Sequence, residues 1–537
     1  MSYSLSLIMT GIIACIFYPI YANSVSAPNI IYLLTDDQDI VFNSTQVMPN
    51  VQKYLYQQGK WFSNAFVDVS VCCPSRTSTL SSRYAHNLQD TTNGWCGNFA
   101  TTYENNTWIK VLQSQGNYLT GLFGKYYNDY SNFCGKNIHI PEGWSRWYTI
   151  CNDNAYYNIN YNDQGKMVST GNTPSDYMTS KIGNTTIQWL ESILTNTSNQ
   201  QPIFAYIAPH APHVPSTPSD WYMNAPVPTQ APRVPNWNTG NLNKHWLVDQ
   251  QPNMSNTLIK GSDEHYADRL RSLMSVDDIV GAIIDVLSKY NALDNTYIIY
   301  NSDHGYSLGN FRLAAEKYHV YDNNIRVPFL VRGPNVNPGI STGMINNVDI
   351  GNTILDLANI SPLPINDGTS FKSLILATEN EPSIQNMDYL HNGEINHYPE
   401  IITNASYYSS LNSTSGWRDR LLVEYWGLGY VERGPCSNFT GPCPGGADNQ
   451  ALLDAPSNTY VGIRIINSTT NLLYAEFRPS PTTNPNRTLT NYTEIYDLNK
   501  DPYQLTNLWP AGLPSSMIKT LQDELYALVD CQDSTCP

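Results

Sequence analysis

Two apolar runs along the chain end abruptly in acidic residues. The first is NIIYLLTDDQD at 29–39, and the second is NTYIIYNSDHG at 295–305. Continuous apolar, β-branched runs of this length are typical of parallel strands buried on both faces, and polar side chains at the C-terminal ends of such strands point at a site. We therefore predict two core strands whose ends contribute to one site.

Apolar residues that recur at every third and fourth position predict helices between these strands. The clearest pattern covers Asp268–Tyr290, and a second covers Asn184–Leu194. Another strand, in QPIFAYIAPHAPHVP at 201–215, leads into a Pro-rich stretch that continues to about Pro235. Strands that alternate with helices predict an α/β sheet, and long loops of this kind usually surround a site.

The chain changes character after VPFLVRGP at 327–334. Strand and helix patterns persist to about Leu376 and then give way to polar, Asn- and Gly-rich sequence. Beyond that point four short runs predict antiparallel strands with half-exposed alternation, closed by a helix at 514–530. The runs are DRLLVEYWG, NTYVGIRII, NLLYAEFRP and YTEIYDLN. We place a large domain at 28–380 and a smaller C-terminal subdomain at 381–537.

Residues 1–22 contain LIMTGIIACIFYPIYA, which is short and interrupted for a membrane span and has small residues placed for cleavage near Ala22. We predict a secretory signal peptide at 1–22 and no stable membrane anchor. An uncleaved N-terminal anchor is the alternative, because no Lys or Arg precedes the apolar run. N-x-[ST] sequons favour the secretory route. They begin at Asn43, Asn105, Asn184, Asn196, Asn253, Asn359, Asn404, Asn412, Asn438, Asn467, Asn486 and Asn491.

The charge balance argues against a nucleic-acid partner. The 537 residues carry 29 Lys+Arg against 45 Asp+Glu, a formal charge of −16, with no basic run to follow a phosphate backbone. The chain has 10 cysteines. Removing Cys15 with the signal peptide leaves an odd number of cysteines in a compartment where thiols form disulfides. At least one cysteine therefore has no disulfide partner within the chain.

The stretch VCCPSRTSTL at 71–80 begins a predicted helix. A disulfide cysteine beside a helix N-terminus, with Pro74 in the first turn, explains much of it but not Arg76. The string from Cys72 to Arg76 resembles the C-x-P-S-R signature of the sulfatase family, in which the first cysteine is oxidised to formylglycine. The resemblance implies an alkaline-phosphatase-like α/β fold: a mixed, mostly parallel sheet flanked by helices, with a smaller C-terminal antiparallel-sheet subdomain.

The family chemistry gives a reason for converting Cys72. A hydrated aldehyde has two hydroxyls on one carbon, so one can attack sulfur and the other can then collapse to the aldehyde and eject sulfate, whereas a serine would be trapped as a sulfate ester. A helix N-terminus favours the bound anion. By resemblance, Arg76 holds the diol and the metal-bound carboxylates. Conversion also leaves eight cysteines, an even set.

Two pairs of neighbouring residues match the family's metal ligands. Asp36 and Asp37 follow the first strand, and Asp303 and His304 follow the second; each pair alone would more often be a turn or a helix cap. With residue 72 they imply one Ca²⁺, because carboxylates, a diol and sulfate form a hard oxygen shell. His304 is the unusual member, since many relatives carry asparagine there and imidazole nitrogen is a less natural calcium ligand.

The resemblance also assigns basic residues around the sulfate. Lys125 in GLFGKYYNDY and Lys317 in AAEKYHVYDNNIRVPFLVRGP match the family's sulfate-binding lysines, Lys317 also neutralising the departing alkoxide. His210 in APHAPHVP matches the histidine that protonates or hydrogen-bonds the leaving oxygen. His213 has no match, and we interpret it as loop structure or a substrate contact.

One position departs from the family pattern. Some relatives place a histidine just after the G-K-[YW] segment, but Tyr126, Tyr127 and Asn128 stand there in this chain. The base that activates the diol is therefore unassigned, and Asn128 is a candidate to contact sulfate or substrate.

The C-terminal third narrows the resemblance. LLVEYWG, NTYVGIRI, NLLYAEF, EIYDLNKDPYQLTNL and CQDSTC are similar to N-acetylglucosamine-6-sulfatases and the related extracellular and algal-type sulfatases. This implies a sugar 6-sulfate substrate, a secreted or lysosomal glycoprotein, maturation by formylglycine-generating enzyme, and pairing of Cys531 with Cys536 and of Cys436 with Cys443. The net negative charge of the protein repels long sulfated polymers, which favours action at the end of a saccharide chain. The alternatives are a broad arylsulfatase, a phosphate or phosphonate ester hydrolase, and an inactive glycan-binding ectodomain.

Overall fold

The computed structural model describes residues 27–88, 96–128, 130, 134, 139–152, 155–196, 198, 201–249, 251–377, 416–427, 458–478 and 490–536. The strands are β1 (Asn29–Thr35), β2 (Lys60–Phe62), β3 (Ala65–Phe66), β4 (Leu119–Gly124), β5 (Arg146–Ile150), β6 (Asn160–Asp163), β7 (Lys166–Ser169), β8 (Ile203–Ala208), β9 (Thr296–Ser302), β10 (Phe329–Arg332), β11 (Gly339–Ser341), β12 (Ile345–Asn346), β13 (Arg420–Tyr425), β14 (Thr459–Ile466), β15 (Asn471–Arg478) and β16 (Tyr492–Asp497). The helices are α1 (Cys72–Ser81), α2 (Ala85–Leu88), α3 (Trp108–Gly116), α4 (Met178–Leu194), α5 (Trp246–Asp249), α6 (Asn256–Lys289), α7 (Asp322–Ile325), α8 (Ile350–Leu357), α9 (Lys372–Leu376) and α10 (Ser515–Val529).

A ten-stranded mixed sheet forms the centre, in the order β11-β2-β10-β9-β1-β8-β4-β5-β6-β7. The strands from β9 to β5 in that order are parallel, whereas β10 beside β9 and β6 beside β5 are antiparallel. Helices cover both faces: alternate residues of β1 pack with α1, α3 and α8 on one side and with α4 and α6 on the other. This confirms the predicted mixed, mostly parallel α/β sheet.

The long helix α6 begins twelve residues earlier than the sequence pattern predicts, at Asn256 rather than Asp268. Its added N-terminal turns bury few apolar residues, Leu258 among them, so their periodicity is weak. Ser255 marks the true start, because its side-chain oxygen accepts a hydrogen bond from the backbone N–H of Leu258 at 3.3 Å.

The C-terminal strands β13–β16 form the predicted four-stranded antiparallel sheet. The predicted half-exposed alternation is wrong, because β15 is buried along its whole length and β14 nearly so. One face packs on α10, where Ile463 and Tyr474 join Leu525. The other face joins the main core through residues such as Tyr460. The small sheet is thus enclosed between its helix and the large domain.

The predicted Cys531–Cys536 disulfide is confirmed, and the structure adds Cys73–Cys96 and Cys134–Cys151. Cys72 is the free cysteine of the described residues. The predicted Cys436–Cys443 pair, the signal peptide at 1–22 and the domain boundary at 380 lie outside the described residues. Among the described helices, none has the length and apolar character to span a bilayer.

Candidate active site

Four neighbouring parallel strands bring their C-terminal ends to one point. In the sheet order β9-β1-β8-β4, each strand is followed within two residues by a polar side chain that faces the same pocket. The structure therefore brings together the predicted groups of these strand ends, which are Asp303 and His304 after β9, Asp36 and Asp37 after β1, His210 after β8, and Lys125 after β4.

Cys72 is the first residue of α1 and faces this point. Its Sγ lies 3.2 Å from His304 Nε2, 3.4 Å from Asp36 Oδ1 and 3.8 Å from Asp37 Oδ1. The side chain is buried, as is every residue of α1. Burial raises the pKa of the thiol, although nearby lysines oppose that effect. The helix N-terminus thus presents residue 72 to a cluster of carboxylates.

Arg76, one turn further along α1, ties that helix to the strand ends. Its Nε donates to Asp303 Oδ2 at 2.9 Å, and its Nη2 lies 3.4 Å from Asp36 Oδ1. Lys125 Nζ donates to the other oxygen of Asp36 at 2.7 Å. Burial opposes ionisation of Asp36, but Lys125 and Arg76 outweigh it and hold the pKa of Asp36 well below its usual value. The carboxylate is therefore held as an anion.

Lys317 approaches from a loop rather than from a strand end. Its Nζ donates to both oxygens of Asp37, at 3.0 and 2.9 Å. Burial works against the charge, yet pairing with Asp37 keeps the pKa of Lys317 well above its usual value. The neighbours Glu316 and Tyr318 have φ of 111° and 82°, a backbone region that ordinary side chains rarely adopt. The loop is strained where it carries the lysine.

His210 and His213 lie on the loop after β8. His210 Nδ1 contacts Asp36 Oδ2 at 2.9 Å, and its buried Nε2 has no hydrogen-bond partner among the described residues. The two imidazole rings are in contact, with centroids 4.4 Å apart and planes tilted by 35°. His213 Nε2 lies 3.9 Å from Asp37 Oδ2, and its side chain is 15% exposed. The sequence predicts loop structure or a substrate contact for His213 but not a metal ligand; its spacing of three from His210 is the signal that could have indicated one.

Two overlapping groups of side chains could hold a metal ion. One combines Asp36, Asp37, Cys72 and His213, and the other combines Asp36, Cys72, Asp303 and His304. In each group the ligand atoms all lie within 4.8 Å of one another. Arg269, on α6, stabilises the segment after β1 by donating to the backbone oxygen of Asp37 at 2.7 Å.

The residues after Lys125 point away from the pocket. Tyr126 and Tyr127 are buried, and both rings pack against Phe99. Tyr127 OH donates to Glu104 Oε1 at 3.2 Å. These two side chains belong to the core, so neither Tyr126 nor Tyr127 supplies a group to the site. Asn128 follows them, and its proposed contact with substrate stays a prediction.

The C-terminal subdomain supports the segments that carry Cys72 and Lys317. Ser70 Oγ and Tyr460 OH are 3.3 Å apart, and the backbone N–H of Tyr318 donates to Ser70 O at 3.0 Å. Asn458 Nδ2 donates to the backbone oxygen of Tyr318 at 3.1 Å. Strand β14 and the residue before it thus contact both segments directly.

Comparison with known proteins identifies the family. Residues 28–360 match the family model described as Sulfatase, and residues 309–426 match N-sulphoglucosamine sulphohydrolase, C-terminal. The N-acetylglucosamine-6-sulfatase of Capra hircus is 32% identical over 519 residues, which cover 95% of this chain and 84% of that protein.

Solved structures share the fold at lower identity. One, described as in complex with its substrate D-glucosamine-2-N,6-O-disulfate, aligns with a TM-score of 0.68 and 20% identity over 93% of this chain and 97% of its own. The phosphonate monoester hydrolase of Agrobacterium radiobacter aligns with a TM-score of 0.62 and 17% identity, over 93% and 95% of the two chains. With a family model that covers most of its length, the chain belongs to the sulfatase family.

Proposed function

We propose that this chain is a sulfuric ester hydrolase that acts on sulfated sugars, with Cys72 converted to formylglycine and with one bound Ca²⁺. The observation that carries the proposal is the position of Cys72. It begins a buried helix and faces three carboxylates, with two buried lysines and an arginine paired to them. An inert structural cysteine has no need of such surroundings.

The residues fit the two groups that the family implies. Asp36 with Asp37 in one group, and Asp36 with Asp303 in the overlapping group, offer hard oxygen ligands for Ca²⁺. The sulfur of Cys72 and the nitrogen of His304 fit Ca²⁺ less well until residue 72 carries oxygen. When present, formylglycine supplies a geminal diol as nucleophile, and Ca²⁺ supplies charge that polarises the ester oxygens.

The fixed charges of the pocket suit a sulfate ester. Three carboxylates pair with three lysine and arginine cations, and a divalent ion would add positive charge toward an incoming anion. Lys125 and Lys317 hold their ammonium groups against Asp36 and Asp37, and in this proposal both ammonium groups bind the sulfate. Because both lysines are buried, their charges act in a region of low dielectric, where they count most.

His210 has the geometry of a group that serves the leaving oxygen. Asp36 orients the ring through Nδ1, and Nε2 is the nitrogen without a partner among the described residues. A proton on Nε2 can pass to the departing alcohol. Lys317 assists by neutralising the charge that develops on the same oxygen, which matters most for alcohols that leave poorly.

The substrate proposal rests on similarity and on charge. The Capra hircus relative is named for N-acetylglucosamine 6-sulfate, and the solved neighbour was described with a glucosamine disulfate. A 6-sulfated glucosamine is therefore the favoured substrate. The net charge of −16 repels long polyanions outside the pocket, which favours action at a chain end.

Maturation and location complete the proposal. Disulfides in the described residues fit folding in an oxidising compartment, so we place the protein in the secretory pathway, secreted or lysosomal, as a glycoprotein. Formylglycine-generating enzyme is the partner that would act on Cys72 before the helix is buried.

The test is a peptide map joined to a substrate panel. In a host with formylglycine-generating enzyme, the tryptic peptide 61–76 should show that Cys72 has lost sulfur and gained oxygen. The same preparation should hydrolyse glucosamine 6-sulfate and aryl sulfate faster than aryl phosphate. Phosphatase or phosphonate esterase activity that dominates by several orders of magnitude would overturn the sulfatase assignment, and an unmodified thiol with no activity would favour a glycan-binding role.

A further inference from the structure

The unconverted site contains sulfur and nitrogen donors beside its carboxylates. Cys72 Sγ is 3.2 Å from His304 Nε2, and that nitrogen is 3.0 Å from Asp37 Oδ1. Asp36 Oδ1 is 3.4 Å from the same sulfur. Ligands around one Zn²⁺, with bonds of about 2.3 Å to sulfur and about 2.0–2.1 Å to nitrogen and oxygen, lie roughly 3–4 Å from each other. The observed separations match that shell.

The imidazoles are oriented as metal-binding histidines usually are. His304 Nδ1 contacts the backbone oxygen of Gly305 at 2.8 Å, which directs Nε2 toward Cys72 and Asp37. His213 repeats the arrangement, with Nδ1 2.7 Å from Val214 O and Nε2 toward Asp37. A backbone carbonyl on the remote nitrogen fixes the tautomer and ring angle of a ligating histidine. This observation is independent of the distances between the ligands.

We propose that the chain with Cys72 as a thiol is a binding site for a borderline-soft divalent cation such as Zn²⁺. Cys72 Sγ and His304 Nε2 are its principal ligands, and the surrounding carboxylates complete the shell. Binding releases two protons to solvent, one from the thiol of Cys72 and one from His304 Nε2, which faces the Asp37 carboxylate in the metal-free site. Thiolate and imidazole favour Zn²⁺, whereas Ca²⁺ takes oxygen ligands. The chemical state of residue 72 therefore selects the metal: sulfur selects Zn²⁺, and oxygen selects Ca²⁺.

This site shares its pocket with the proposed catalytic site but does not depend on catalysis. The thiol form needs only the encoded residues, and it is distinct from the oxidised form on which the proposed function rests. A chain that escapes conversion would hold Zn²⁺ and be unable to turn over ester. His304 is the residue that makes this chain suited to it, because asparagine at that position would offer an oxygen instead of an imidazole nitrogen.

The experiment titrates the full chain, made in cells without formylglycine-generating enzyme, with Co²⁺, Zn²⁺ and Ca²⁺. Co²⁺ should give a sulfur-to-metal charge-transfer band that Zn²⁺ removes. Cys72→Ser, which changes one sulfur to oxygen, should lose the band and weaken Zn²⁺ binding by more than the roughly 10–100-fold that loss of a supporting partner costs. His304→Asn should also weaken Zn²⁺ binding while Ca²⁺ binding is retained.

The four combinations of Cys or Ser at 72 and His or Asn at 304 form a double-mutant cycle. Coupling between the two changes for Zn²⁺, and none for Ca²⁺, is the expected result. Absence of the charge-transfer band in the wild-type thiol form overturns the proposal without any variant, and so does equal Zn²⁺ affinity of Cys72→Ser. If the converted enzyme lacks sulfatase activity while the thiol form shows the band, the proposed function fails and this inference stands. If the converted enzyme is an active sulfatase and the thiol form shows no band, only this inference is rejected.

Discussion

Two buried clusters of charged side chains differ in what they face. The first surrounds an open pocket, and in the second the charged groups are paired with other protein groups. Around Asp36, Asp37 and Asp303, cations and carboxylates converge on residue 72, and His210 Nε2 faces the pocket without a protein partner among the described residues. Around Lys244, at the junction with the C-terminal sheet, the charged groups are paired with each other. Its Nζ donates to Tyr496 OH at 2.7 Å and lies 3.9 Å from Glu494.

The second cluster is enclosed by aromatic rings. Phe311, Tyr321 and Tyr496 have ring centroids 4.0–4.2 Å from Lys244 Nζ. Burial lowers the pKa of Lys244 to about 8, and Glu494 opposes that effect. A buried charge whose partners and rings surround it on all sides has a structural role, whereas buried charges that leave a polar atom facing a pocket indicate chemistry. Changes in the two clusters should therefore affect different properties.

The largest effect should follow Cys72→Ala. It removes the side chain on which every proposed chemical step depends, so we expect kcat to fall by on the order of 10⁴-fold or more with little change in Tm. Assays with glucosamine 6-sulfate and thermal unfolding of the same preparation measure both. Retention of even a tenth of the activity would show that residue 72 is not the nucleophile.

Lys317→Ala should act on the chemistry in a way that depends on the leaving group. We expect losses of roughly 10²–10³-fold on sugar sulfates and smaller losses on activated aryl sulfates, because only the former need help with the departing oxygen. The ratio of kcat/KM for the two substrates is the measurement. Equal losses would reassign Lys317 to sulfate binding.

Lys244→Met is the substitution in the cluster around Lys244 that we compare with Lys317→Ala. Removing Lys244 leaves the buried charge of Glu494 without its cation, although Tyr321 and Tyr496 still donate to it. We expect this to lower the free energy of unfolding by about 3 kcal/mol. The folded fraction should keep kcat within about twofold, since the partners of Lys244 among the described residues, Tyr496 and Glu494, are not part of the pocket. A leaving-group-dependent loss of kcat in this variant would break the distinction between the clusters.

A smaller effect should appear as a pH dependence at the junction of the large domain with β13. Burial works against charge on His86, but Glu424, whose carboxylate is 2.9 Å from Nδ1, raises the pKa of His86 to about 9 from 6.5. A raised histidine pKa means that the stabilisation is fully present below pH 6.5 and is lost as the pH rises through about 9. Buried Asp68, with a pKa raised by burial to about 7, shifts stability in the same direction.

We expect His86→Ala to lower stability by on the order of 2 kcal/mol at about pH 6 and by much less at about pH 9.5. Tm measured across this range gives the slope. Lys519→Ala, which removes an exposed pair with Asp523, is the control and should change stability by no more than about 0.5 kcal/mol at either pH. A His86→Ala deficit that is constant with pH would mean lost packing rather than lost charge.

The strands and their polar ends could be predicted from local pattern, but their convergence could not. β1 and β9 are visible as apolar runs that end in Asp36 and Asp303, and CCPSR identified the helix that meets them. Their adjacency in the order β9-β1-β8-β4 is a long-range property of the sheet. The family resemblance, rather than periodicity, supplied Lys125 and Lys317 as members of one pocket.

Features that depend on packing between distant segments could not be predicted from the local sequence pattern. His213 resembled a loop residue because only the turn after β8 brings its ring onto His210. Strands β14 and β15 alternate in a way that looks half-exposed, yet both faces are covered because the large domain supplies the second layer. The Cys73–Cys96 pairing likewise joins segments that no local pattern connects.

The contacts of Tyr460 with Ser70 and of Asn458 with Tyr318 have a consequence for dissecting this enzyme. The segment before residue 72 and the strained loop of Lys317 are both braced by a part of the chain that is remote in sequence. A fragment ending near residue 380 would retain every proposed metal ligand. It would lack the contacts from residues 458 and 460 that support the segments of Cys72 and Lys317. We therefore expect this fragment to be inactive alone and to regain activity only when the C-terminal part is supplied with it.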